Sequence, residues 1–232
     1  NHYHGNKIKE GDLLLIDAGA RLENGYCGDM TTTHPVSGKF TEKQKDIYNL
    51  LISMFDKAEE LIKPGITYMA VHLAVCKVLA EGMISRGILK GNADEIVEKG
   101  IHALFMPHGL GHMMGLDVHD MENIGEPIVG YNGAEKSRQF GLSSLRLGRT
   151  LETGFVFTVE PGIYFIPELI EKWKSENKFI EYINYDELEK YIDFGGMRYE
   201  GDYLVTETGN RRLGDSMPKY PDEIEKVRAK AF

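Results

Sequence analysis

The feature that most limits how this 232-residue chain can fold is an acid at the end of an apolar strand, answered by a second acid on the strand that returns. Leu13-Leu14-Leu15-Ile16 runs into Asp17, and Asp29 lies in the Thr-rich stretch from Tyr26 to Val36. An ionised carboxylate buried there without a partner would cost several kcal/mol, so Asp17 calls for a cation. A two-residue turn at Asn24-Gly25 would pair Glu23 with Tyr26 and send Asp17 and Asp29 to opposite faces. A three-residue loop, Glu23-Asn24-Gly25, with Gly25 left-handed beside a bulge, pairs Leu22 with Tyr26 and puts both aspartates on one face. That loop is the expectation.

From Thr41 the period changes. Thr41 and Gln44 form a capping box, and Ile47, Leu50, Leu51, Met54, Ala58 and Leu61 recur at helical spacing until Lys63-Pro64-Gly65. Thr67 caps a second helix with Val71, Val75, Val78 and Leu79 on its apolar side. Asn92 with Glu95 opens a third, expected to end near Phe105. Two strands are expected over 155–165 and 197–206, separated by a charged, helix-prone excursion over about 167–194 that carries the only Trp, Trp173. No repeat or Gly/Ser-rich linker divides the chain, so residues 1–232 read as one α+β domain.

Two further acids sit in apolar strand contexts: Glu160 in Phe157-Thr158-Val159-Glu160-Pro161-Gly162 and Glu200 in Arg198-Tyr199-Glu200. Between the halves lies His108-Gly109-Leu110-Gly111-His112, followed by Asp117, His119 and Asp120, where glycines let the backbone approach a ligand closely. Taken singly, each acid fits a structural role better than a catalytic one, and Arg198 and Glu200, two apart, fit a simple ion pair. Together, four acids and one imidazole form an oxygen-rich set whose charge balances two divalent cations. Hard ligands of this kind favour Mn2+, with Co2+, Fe2+ or Zn2+ tolerated. Two such ions roughly 3.5–4 Å apart would share a water and polarise a scissile carbonyl.

The order Asp, Asp, His, Glu, Glu and the stretches LLLIDAGA, GDMTTTHPVSGKFT, HGLGHMMGLDVHD, TVEPGIYF and GGMRYEGDYLVTETG resemble the pita-bread metallopeptidases, among them methionine aminopeptidase, aminopeptidase P and prolidase. The resemblance implies a pita-bread fold, a curved antiparallel sheet flanked by helices, and two metal ions on Asp17, Asp29, His112, Glu160 and Glu200. It implies that Glu160 is the general base, that His108 and His119 line the substrate pocket, with His119 at the scissile carbonyl, and that Arg198 orients ligands. His2 falls where the family has a pocket histidine. The excursion after Phe165 resembles prolidases of the eukaryotic type, and Arg146 sits where that branch places an arginine that clamps a dipeptide carboxylate. Xaa-Pro dipeptidase is therefore favoured, with aminopeptidase P acting on longer peptides as the alternative and a non-catalytic pita-bread binding module as a third reading. The family domain ordinarily has further helices and strands before the first metal aspartate, so the chain reads as the catalytic C-terminal portion of a longer enzyme.

Composition closes off other classes. With 27 Lys+Arg against 36 Asp+Glu, a net charge of -9 disfavours nucleic acid and anionic lipid as partners. Only Cys27 and Cys76 are present, too few for a disulfide framework, which favours a reducing, cytoplasmic setting. No stretch approaches the roughly 18 apolar residues that a membrane span needs. The partner implied is a proline-containing peptide, and a homodimer stays open.

Overall fold

The computed structural model describes residues 5–230, so His2 lies outside the described residues. Its elements, in order, are β1 (Leu13–Arg21), β2 (Cys27–Pro35), α1 (Glu42–Leu61), α2 (Tyr68–Ser85), α3 (Ala93–Glu98), α4 (Glu126–Tyr131), β3 (Val156–Val159), β4 (Gly162–Phe165), α5 (Pro167–Ser175), α6 (Tyr185–Leu188), β5 (Gly195–Arg198), β6 (Gly201–Val205), β7 (Asn210–Arg212) and α7 (Pro221–Arg228), with short 3-10 turns between them. The α+β expectation holds.

The hairpin takes the expected three-residue loop. Leu22 N–H donates to Tyr26 O at 2.9 Å, Gly25 N–H closes onto Leu22 O at 2.9 Å, and Gly25 has φ 92°, which favours glycine. The register that follows pairs Asp17 with Thr31 and Gly19 with Asp29. Asp17, Thr31 and Asp29 therefore share one face. The other expectation for this strand fails: Leu14 and Ile16 are exposed and the Asp17 side chain is half-exposed, so β1 is not a buried strand. Asp17 takes its counter-charge from the Arg198 guanidinium rather than from burial among metal ligands.

The two later strands are each broken in the middle, at the acids. β3 pairs with β6 and β4 with β5, antiparallel. Val159 faces Gly201 on one side of the break and Gly162 faces Arg198 on the other, so one register runs through the gap. Glu160 and Glu200 are consequently cross-strand partners in a kinked ribbon. The ribbon lies along β2, where Glu200 N–H donates to Thr31 O at 2.9 Å and Thr33 Oγ1 donates to Arg198 O at 3.0 Å.

Helices cover the ribbon. The Thr41–Gln44 capping box opens α1, and Thr67 and Asn92 cap α2 and α3 as their sequences require. α1 packs on α2 and sends Phe55 against Tyr199, rings 4.9 Å apart and edge-on. Two expectations need correction. α3 ends at Glu98 rather than near Phe105, because Gly100, at φ 72°, turns the chain into a separate 3-10 turn at Ile101–Leu104. α2 does reach the length and apolarity of a membrane span. Its apolar side, Val71, Val75 and Leu79, is instead buried in the core, and it carries Lys77, paired with Asp94 at 2.6 Å. The excursion is helical in part, at α5 and α6, and anchors itself by burying Ile170 and Trp173.

Candidate metal centre and pocket

Residues 110–114 run as an irregular strand along β3, and this docking delivers the histidines. Thr158 N–H donates to His112 O at 3.0 Å, Glu160 N–H to Leu110 O at 2.8 Å and Met114 N–H to Val156 O at 3.0 Å. At Gly111 a Cβ atom would lie 2.1 Å from Thr158 O, so glycine is what permits this approach. Asp120 N–H returns to Met113 O at 3.0 Å, and the rings of His112 and His119 then meet edge-on with centroids 4.2 Å apart. Asp117 and Asp120 serve the loop itself, Asp120 Oδ1 accepting from Asp117 N–H at 3.2 Å.

Four of the five expected ligands converge. Ligand atoms of Asp29, His112 and Glu200 all lie within 4.8 Å of one another. His112 Nε2 is 3.6 Å from both Asp29 Oδ2 and Glu160 Oε1. Asp17 is not in this group, because its carboxylate is taken by Arg198 Nη2. Arg198 is therefore an organiser more than a simple partner of Glu200, whose Oε2 lies 4.0 Å from Nε. The same guanidinium donates to Thr31 Oγ1 at 3.1 Å and to the Tyr164 hydroxyl at 3.0 Å. Tyr164 in turn bonds His108 Nε2 at 3.1 Å.

Ionisation of the two glutamates meets strong opposition. Burial, with Glu160 opposite, pushes the Glu200 carboxyl up to about 9, even though Thr31 Oγ1 donates to it at 2.6 Å. Burial likewise raises Glu160, against the attraction of His112 and Arg198. Like charges directly opposed on a ribbon are destabilising, and buried carboxylates resist ionisation, so this donor set fits divalent cations. The histidine fits as well. Its Nδ1–H points to Met113 O at 3.1 Å, which leaves Nε2 toward the carboxylates as the ligand nitrogen. Burial works against protonating His112, but the Asp29 and Glu160 carboxylates outweigh it and raise its pKa.

Beside the cluster, His108, Gly109, Gly111, His112, His119, Ser144, Arg146 and Glu160 line a pocket of about 160 Å³. Burial draws His108 down to about 4, so it is neutral at physiological pH. Burial, reinforced by His112 and Arg146, also lowers His119. Arg146 Nη1 is committed to Glu122 Oε2 at 2.6 Å, which leaves the other guanidinium donors for a ligand. Four residues of the site were not singled out in the sequence: Thr31, Thr158, Tyr164 and Asp202. Thr158 Oγ1 accepts from His112 N–H at 3.1 Å and donates to Glu160 Oε1 at 3.3 Å. Asp202 Oδ2 accepts from Asp29 N–H at 3.1 Å. Thr31, Thr158 and Asp202 each lie two residues from an acid on the same strand path, a period-two signal that could have found them. Tyr164 carried no comparable signal.

The chain is similar to a probable Xaa-Pro aminopeptidase of Paracoccidioides brasiliensis, 42% identical over 214 residues, an alignment covering 92% of this chain and 44% of the relative. One from Sordaria macrospora is 40% identical, with the same coverage of both chains. Among solved structures, a single-residue variant of Escherichia coli aminopeptidase P superposes with a TM-score of 0.77 at 35% identity, covering 100% of this chain and 44% of that one. The Zn-substituted form of that enzyme in complex with product gives 0.76 at 35% identity, with the same coverage. The pita-bread fold expected from the motifs is the fold of these neighbours, and the chain spans less than half of their length. The model of metallopeptidase family M24 matches residues 1–207, and the chain belongs to that family.

Proposed function

We propose that this protein hydrolyses Xaa-Pro peptide bonds with two divalent metal ions, most readily Mn2+, held by Asp17, Asp29, His112, Glu160 and Glu200. The observation that carries this reading is the convergence of Asp29, His112 and Glu200, with Glu160 3.6 Å from His112, beside a pocket lined by His108, His119 and Arg146. Asp17 joins the set by turning from Arg198 on the face it already shares with Asp29. When bound, the metals would acidify a water molecule and polarise the scissile carbonyl. Glu160, steadied by Thr158, would accept the proton at Oε1 and pass it to the leaving imino nitrogen of proline. Neutral His119 would donate a hydrogen bond to the carbonyl oxygen as it gains charge. His108 is kept neutral by burial and fixed by Tyr164, and would bound the pocket without adding a charge.

Dipeptides are the favoured substrates, because the unspent donors of Arg146 can bind a free carboxylate one residue beyond the scissile bond. A second reading, release of the first residue from longer peptides, is favoured by the names of the relatives, probable Xaa-Pro aminopeptidases. Assaying Ala-Pro against Ala-Pro-Ala with Mn2+ present separates the two. Hydrolysis of neither by the folded, Mn2+-loaded chain, with Glu160→Gln indistinguishable from wild type, would overturn both.

A further inference from the structure

A second group of ligating side chains lies in the helical layer. His72 and Cys76 are four residues apart on α2, so one turn of helix sets them on the same face, and Cys76 Sγ is 3.4 Å from His72 Nε2. His102 joins them from the 3-10 turn at Ile101–Leu104, which Gly100 makes possible. One ligating atom from each of the three lies within 4.8 Å of the others, and all three residues are fully buried. The polar atoms are left short of partners. His72 Nδ1 and both ring nitrogens of His102 are buried without a hydrogen bond, His102 leaning toward the Ile96 carbonyl without reaching bonding geometry. Burying a polar atom without a hydrogen-bond partner is costly. A hydrogen-bonded Cys76–His72 pair with a packed histidine beside it uses His72 Nε2 and leaves all three of these nitrogens unexplained.

We propose that His72, Cys76 and His102 form a binding site for one borderline-soft cation of the Zn2+ class, separate from the carboxylate centre. Two imidazole nitrogens and a thiolate select Zn2+ over Mn2+, the reverse of the preference of a cluster of carboxylates. Burial draws His72 down to about 3 and His102 to about 4, so both are neutral donors at physiological pH, and it raises the Cys76 thiol, so the cation must displace a firmly held proton. Binding breaks the Cys76 S–H bond, releases its proton to solvent and forms the sulfur–metal bond. Because the three residues are fully buried, the cation enters as the chain folds.

The test uses protein produced in cobalt-supplemented medium, since Co2+ bound to a thiolate shows a charge-transfer band in the near ultraviolet and Co2+ bound only by carboxylates and imidazole does not. Wild type and Cys27→Ser should show the band with about one equivalent of Co2+ on sulfur. Cys76→Ala, a swap for another small apolar side chain, should lose it, and His102→Gln should weaken or shift it, with circular dichroism confirming that each variant is folded. Glu200→Gln should retain the band, which separates this site from the carboxylate centre. Absence of the band in wild type, or its loss in Cys27→Ser with retention in Cys76→Ala, would overturn the proposal. If Cys76→Ala does not fold, the wild-type, Cys27→Ser and His102→Gln spectra decide.

Discussion

Glu160 and Glu200 stand opposite each other across the broken ribbon, at the point where the pairing of β3 with β6 gives way to that of β4 with β5. Two carboxylates in that position repel, and burial strengthens the repulsion. The break in both strands is where the site is built.

That opposition predicts an unusual pH dependence for metal-free protein. The folded Glu200 carboxyl is raised from 4.5 to about 9, so between those values the folded state holds a proton that the unfolded state has lost. The stability this group contributes is complete below about pH 4.5 and is lost as pH rises through about 9. His72 and His102 are lowered instead, and their effect lies below their ordinary value of 6.5. Between pH 7 and pH 9 the Tm of metal-free protein should therefore fall, the fall should flatten in Glu200→Gln, and saturating Mn2+ should remove it. A Tm that rises over this range in metal-free protein would contradict the assignment.

Gly111→Ala should disrupt the site from the backbone. Its Cβ would meet Thr158 O at 2.1 Å, forcing the segment that carries His112 away from β3. We expect a loss of about 1–3 kcal/mol in chemical denaturation. Weakened Mn2+ binding should accompany it. Gly209→Ala, where no atom lies within 4 Å of the added carbon, is the control and should change neither.

Arg198→Ala should separate positioning from folding. The side chain ties Asp17, Thr31 and Tyr164 together, so its loss frees the first aspartate and unsettles His108 through Tyr164. Metal affinity should drop on the order of 10–100-fold. The Tyr164→Phe variant should leave metal affinity near wild type and raise KM, since it cuts only the branch that leads to His108.

Arg146→Ala tests length selection. A charge-assisted hydrogen bond to a substrate carboxylate corresponds to roughly 10–100-fold in binding. KM for Ala-Pro should rise by about that factor while KM for Ala-Pro-Ala changes little. Equal effects on both substrates would assign Arg146 to its contacts with Glu122 and Glu126 alone.

Much of this was legible in the sequence because local rules decide it. The Thr41 capping box, the Thr67 and Asn92 caps and the Glu23-Asn24-Gly25 loop need only near neighbours, and the loop fixes the face shared by Asp17 and Asp29. The failures at Asp17 and across the ribbon are non-local. The exposure of Asp17 depends on what packs behind β1, and its pairing with Arg198 joins residues 181 positions apart. The early end of α3 is local by contrast, since Gly100 stands there in the sequence. The single register through the break at Glu160 and Glu200 follows from the pairing of two distant strands, which periodicity within either strand does not report.

The most direct test of the metal centre is calorimetric titration of metal-depleted protein with Mn2+, on chain whose fold is verified by circular dichroism. The hard carboxylate set predicts two equivalents bound by wild type and at most one by Glu200→Gln. No binding by folded wild-type protein, or two undiminished equivalents in the variant, would contradict it.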